Sequence, residues 1–154
     1  IKNYTLNKKK ISSQEILSLI NLSENFEISE LIDNCLAQNK SKIINILNEN
    51  NYSTDDCIII LRTFLSKTKR ILKLAMELEE NKDINKTINS AKPPIFWKDK
   101  EIIKVQLNKW KTKKIKELIE NINNIELEIK KNYNNSILIV TNFILEKSRS
   151  EINN

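Results

Sequence analysis

The chain has 154 residues, 40% of them hydrophobic and 30% charged, with a formal net charge of +6 and neither glycine nor histidine. That length fits one domain with its own core, or one domain plus a fragment of another. Missing glycine excludes the phosphate loops and dinucleotide turns whose glycines admit a backbone to a phosphate, and missing histidine excludes Ser-His-Asp, Cys-His and HExxH sites.

Glycine also supplies most turns with positive φ, so its absence argues for helices joined by Asn-rich turns. The start at Ile1 leads us to expect a piece of a longer protein. Residues 1 to 10, IKNYTLNKKK, have no period and read as a loop. Ser12 and Glu15 form a capping box ahead of Ile16, Leu17, Leu19 and Ile20, which predicts a short helix. Phe26, Ile28, Leu31, Ile32, Cys35 and Leu36 are close to helical spacing and predict a second. A third carries Ile43, Ile44 and Leu47 on one side and stops in an Asn cluster.

The longest helix is expected after Ser53, which forms a capping box with Asp56. Cys57, Leu61, Phe64, Thr68, Ile71, Ala75 and Leu78 alternate by four and three, and Ile58, Leu65 and Leu72 widen the stripe. So broad a stripe belongs to a helix packed among several others. Its opposite face holds Arg62, Lys69 and Lys73. Asp55 and Asp56 read as helix-start acids rather than a metal or acid–base pair. Glu77, Glu79 and Glu80 read as a solvated charge run. A short amphipathic piece follows near Ile84 and Ile88, before Pro93 and Pro94 stop all helix.

Beyond the prolines, Ile102, Ile103, Leu107, Trp110 and in part Val105 mark one helix, and Thr112 is placed to cap the next. That next helix puts Ile115, Leu118, Ile122, Ile125 and Ile129 on one face. The last segment, SILIVTNFILEKS, is apolar nearly all round and reads as a buried C-terminal helix. The sum is an all-α bundle of about seven or eight helices. Cys35 and Cys57 sit inside apolar patterns and read as buried free thiols. No apolar run is long enough to span a bilayer, so a soluble, cytoplasmic protein is expected.

The segment AKPPIFWKDKEIIKVQLNKW, residues 91 to 110, holds both prolines and both tryptophans. From Lys92 to Lys116 there are nine lysines against Asp99 and Glu101, so this stretch holds about the whole net charge. Clustered lysines collect phosphates and tryptophans stack on bases. That makes Lys98, Lys100, Lys104, Lys109, Lys111, Lys113 and Lys114 candidates for nucleic-acid contact. A solvated basic face with the aromatics as core or interface anchors explains the same residues. Arg62 and Arg70, with Phe96, Trp97 and Trp110, are candidates for a subunit interface, where Arg and aromatics concentrate.

The order of these features resembles the C-terminal region of the delta subunit of the bacterial DNA polymerase III clamp loader. Leu31, Ile32 and Asp33 match its first helix, and Asn39, Lys42, Ile46 and Leu47 its turn and second helix. Ile60, Leu61, Arg62, Leu65 and Arg70 match its long helix. PPIFWKDK followed by QLNKW is similar to the PPVFFKRK…QLRRW segment of alphaproteobacterial delta subunits. IELEIKKNYNNSILIVTNFIL resembles the closing helix pair, so the likeness runs from about residue 10 to 148. The chain departs from the family at Asn39 and Asn51, where glycine is frequent, and at SKTKR, where only Arg70 matches.

The resemblance implies a non-catalytic collar domain at residues 26–154, after a remnant of the helical lid domain at residues 1–25. The last lid helix would lie at residues 11 to 22. It implies no catalytic residue, cofactor or metal. It also implies assembly with other clamp-loader subunits through the collar, sliding-clamp contact only through regions outside this chain, and DNA within reach of the whole machine. The alternative is an independent basic helical domain that binds DNA or RNA.

Overall fold

A computed structural model describes residues 12–149; the loop expected at residues 1 to 10 lies outside them. The described residues form seven α-helices and no strand: α1 (Ser13–Leu36), α2 (Lys40–Glu49), α3 (Thr54–Asn81), α4 (Ile84–Asn89), α5 (Lys100–Lys109), α6 (Thr112–Lys131) and α7 (Ser136–Lys147). Short 3₁₀ turns at Trp97–Asp99 and Tyr133–Asn135 lead into α5 and α7. The all-α bundle expected from the periodicity is the fold.

The long helix α3 is the axis. The others pack around it, with α6 laid along it and α1, α5 and α7 closing its flanks. Cys57, Leu61, Phe64, Thr68, Ile71 and Ala75 are all buried, and Ile58, Leu65, Leu72 and Leu78 are half-buried beside them. Ile60 and Leu74 are buried as well, so α3 meets neighbours on more of its circumference than the stripe implied. Facing it, α6 buries Ile115, Leu118, Ile122 and Ile129. Both capping boxes form. Ser53 accepts from Asp56 N–H while the Asp56 carboxylate takes Ser53 N–H at 2.7 Å, and Ser12 does the same with Glu15. Each pair satisfies orphan donors of a helix start.

Six details depart from the sequence reading. The helix expected to end near Asn25 and the one expected to begin at Phe26 are a single helix, α1. No Gly or Pro separates them, and Ser23 and Asn25 alone do not stop a chain rich in Leu, Ile and Glu. The left-handed positions fall on Gln38 (φ 56°) and Lys82 (φ 57°), not on asparagines. Gln38 closes α1 in a Schellman turn, with Asn39 N–H on Asn34 O and Gln38 N–H on Cys35 O. Asn39 is then free to act as the N-cap of α2, its side chain accepting from Lys42 N–H.

In α2, Ile43 and Ile46 are the buried pair, while Ile44 is exposed and Leu47 half-buried. Thr112 is the first residue of α6 rather than its cap; its hydroxyl reaches Glu79. In α5, Gln106 rather than Val105 faces inward beside Ile103 and Leu107. Finally, α7 is not buried all round. Val140, Phe143 and Ile144 enter the core, but Ile137 and Leu138 face outward. Among the described residues, no helix is long and apolar enough to cross a membrane.

The candidate interaction surface at the proline turn

Pro93 and Pro94 break the chain between α4 and α5, and α3 holds the break in place. The Arg70 guanidinium donates to Pro93 O at 3.2 Å and Pro94 O at 3.3 Å. Lys73 Nζ donates to Lys92 O at 3.1 Å. A proline turn offers carbonyls without matching N–H groups, and two cations on one helix face satisfy them. The Lys92–Pro93 bond is cis. Arg70 therefore has a role inside the bundle, while Arg62 is exposed on the same helix.

The next three residues part company. Ile95 is buried and anchors the turn to the core. Phe96 and Trp97 face outward, 60% and 69% exposed. Their rings lie 6.1 Å apart, tilted by 39°, and Lys98 Nζ sits 5.4 Å from the Trp97 ring. Only Ile95 therefore plugs the bundle. Such an ammonium–indole contact contributes about 0.5–1 kcal/mol at an exposed site. Two adjacent large aromatics in water are an apolar feature larger than a scattered surface residue.

Trp110 does the opposite. It is half-buried at the end of α5, and its indole N–H donates to Leu36 O at 2.7 Å. It thus covers a carbonyl left open at the end of α1. The two tryptophans, grouped as interface candidates by sequence, have different jobs: Trp110 ties α5 to α1, and Trp97 faces solvent.

The lysines around the turn are mostly exposed. Lys104 pairs with Glu101 at 2.9 Å, Lys100 donates to Asn89 at 2.8 Å, and Lys114 pairs with Glu117 at 3.3 Å. These are surface pairs of small net worth. Lys98, Lys109, Lys111 and Lys113 are exposed too. Aromatic pair and lysines share the stretch from the turn through α5 into the start of α6.

Beneath this surface lies a polar cluster that sequence reasoning missed. Lys67 Nζ meets both Asp33 oxygens, at 2.7 and 2.8 Å, with the two side chains about a quarter exposed. Gln106 Nε2 donates to Asp33 O at 2.9 Å. Burial pushes the Asp33 carboxyl above its usual range, against the opposing pull of Lys67 and the Gln106 side chain. The signal was in the sequence as Lys67, whose place beside the Thr68 position of the buried stripe keeps it near the core. Its geometry is that of a structural tie: a cavity of about 40 Å³ beside it is lined by Asp33, Lys67, Arg70, Asp99 and Gln106.

A second concavity of about 360 Å³ lies between α2 and α7, lined by Ile44, Leu47, Tyr52, Ile137 and Leu145 among others. The Tyr52 hydroxyl is enclosed there without a hydrogen-bond partner. Burial, with Glu27, Asp56 and Glu30 nearby, pushes its pKa up to about 12. Across the bundle, Tyr133 O–H donates to Asp55 at 2.6 Å, giving that acid a second role beside helix α3. Among the described residues, no group of His, Cys, Asp and Glu is arranged to hold a metal.

Both cysteines are buried free thiols, as the apolar pattern predicted. Burial pushes Cys35 up to about 12, and its S–H donates to Ile144 O at 3.6 Å; burial also raises Cys57. Since the thiolate is the reactive form, neither should react with a disulfide reagent at pH 8 in the folded chain, and both should react in urea. A fast-reacting thiol in the native state would contradict the packing. No family model, curated protein or solved structure matches the chain.

Proposed function

We propose that the chain is the collar domain of a delta-type subunit of a bacterial clamp loader, a non-catalytic module that assembles with other subunits for DNA replication. The observation that carries this reading is the PPIFW turn. Its position after the fourth helix, its pinning by Arg70 and its outward Phe96–Trp97 pair fit a surface built to meet another subunit. The order of helices in an all-α bundle supports the same reading. Its partners would be the other collar domains, with the sliding clamp met only through regions outside this chain.

The test is co-elution. The chain mixed with the ATPase subunits of a bacterial clamp loader should form a stable complex at physiological salt. Trp97→Ala should weaken that complex at least about tenfold, as expected of an aromatic anchor, without lowering the melting temperature. Failure to co-elute would sink the assignment.

A second reading is favoured by the Lys98–Trp97 contact and the exposed lysines of α5 and α6. An aromatic platform edged by cations is suited to a single strand of DNA or RNA. Binding to an oligonucleotide without partner subunits, with affinity falling steeply as salt rises, would favour it.

A further inference from the structure

The middle of α3, from Cys57 to Met76, carries five cations and no acid: Arg62, Lys67, Lys69, Arg70 and Lys73. Lys67 is tied to Asp33 inside the bundle. Arg62, Lys69 and Lys73 are exposed, and their spacing of seven and four residues puts them on one face of the helix. At about 1.5 Å per residue, that row is roughly 16 Å long. Among the described residues, none of the three, nor Arg70, has a carboxylate partner within 4.0 Å. Glu77, one turn beyond Lys73, ends the row.

The structure joins this row to the proline turn. Arg70 and Lys73 hold the turn by the carbonyls of Pro93, Pro94 and Lys92. A carbonyl is neutral, so both cations keep their charge. The turn adds Lys92 and Lys98, exposed and also without a carboxylate partner. Phe96 and Trp97 follow at its end, and Trp97 stays 69% exposed with Lys98 beside its ring. The counterweight is Asp99, which lines the small cavity that Arg70 also lines. On α5 and α6, by contrast, Lys104 and Lys114 already face Glu101 and Glu117.

We propose that this joined surface binds a single strand of nucleic acid, its phosphates along the Arg62–Lys69–Lys73 face of α3 and an unpaired base on the Phe96–Trp97 pair. The proposal rests on the nucleic-acid reading above and moves its charged half from α5 and α6 to α3. A row of cations with no acid among them collects a polyanion. Two open rings select a polyanion with unpaired bases, because a duplex keeps its π-faces inside its own stack. An acidic peptide would satisfy the cations alone.

The test titrates the 154-residue chain into labelled oligothymidylate and oligouridylate, each about twenty nucleotides long, at two salt concentrations, reading anisotropy and tryptophan emission. Either strand should bind, more weakly at higher salt, and quench Trp97; the tighter of the two identifies the sugar the site takes. Trp97→Ala should weaken binding and remove the quench. Arg62→Gln with Lys69→Gln should weaken binding at least about tenfold and lower the slope of log affinity against log salt by about 0.7 per lost contact. The melting temperature should not change, since both side chains are exposed. Lys109→Gln with Lys113→Gln removes the same charge from α5 and α6 and should weaken binding far less. If neither strand binds, this proposal and the nucleic-acid reading both fall. If the Lys109 and Lys113 pair matters and the Arg62 and Lys69 pair does not, that reading stands and the α3 track is overturned. Tighter binding of a duplex of equal length, or equal competition by polyglutamate, would overturn the single-strand assignment.

Discussion

Phe64→Ala should destabilise the bundle by about 3–5 kcal/mol, the usual range for emptying an aromatic site in a packed core. Phe64 is fully buried in the middle of α3, its ring 5.8 Å from that of Phe143 on α7 and tilted by 53°. Removing it takes away a ring and leaves a void where two helices meet. The α-helical backbone around it cannot close that void, because the Thr68 hydroxyl is bonded to Phe64 O at 2.7 Å and the stripe on either side is packed. For a domain whose whole stability is about 5–15 kcal/mol, this is a large share. The melting temperature should fall by about 10–15 °C for a chain of this length. Phe96→Ala is the control. That ring is exposed, and its loss should change stability by no more than about 0.5 kcal/mol. Equal losses in urea titrations of the two variants would show that the core is not where the structure puts it.

This contrast between Phe64 and Phe96 also shows what sequence could and could not reveal. Phe64 stands in a stripe with a four-three alternation, and periodicity alone places such a residue inside. Phe96 stands in a proline turn with no period, so its direction is set by how the turn is held. That depends on Arg70 and Lys73 reaching carbonyls about twenty residues away. Nothing local predicts such a bond. The same holds for the tryptophans. Trp110 faces inward with its indole N–H on Leu36 O, a carbonyl across the bundle at the end of α1, and Trp97 faces outward although Ile95, two residues before it, is buried.

Helix ends were legible where a side chain caps them, as at Ser12 and Ser53. They were not legible where the stop is made by the backbone. The Schellman turn at Gln38 gives no strong sequence sign without glycine, and Asn39 beside it was the better statistical candidate for positive φ. The run through Asn25 conceals its continuity for a related reason. Polar residues at Ser23 and Asn25 look like a boundary, but a helix whose early turns face only water can carry them at little cost. The exposed arm that results is invisible to an apolar count, which reads Ile16 and Leu22 as core.

Lys67→Met should destabilise the chain by about 1–3 kcal/mol at pH 7, because it leaves the partly buried Asp33 carboxylate without its cation. The sign of the pH dependence follows from Asp33. Burial raises its pKa in the folded chain, so the folded state holds the proton more tightly than the unfolded state does. The stability contributed by that preference is fully present below the unfolded value. It is lost as pH rises through the folded one. At neutral pH the carboxylate is thus a net cost that Lys67 only partly offsets, at 2.7 Å. Without Lys67 the folded pKa rises further, and the cost at neutral pH grows. As pH falls toward about 3.5 the folded carboxyl, with its raised pKa, takes up its proton, and most of the difference between variant and parent should vanish. Asp33→Asn in the Lys67→Met background should recover much of the loss at pH 7, since it removes the charge and keeps a side chain of the same shape. Urea titrations at both pH values measure each step. A Lys67→Met penalty that is the same at pH 7 and pH 3.5 would mean that the lysine acts through its packed stem and not through its charge.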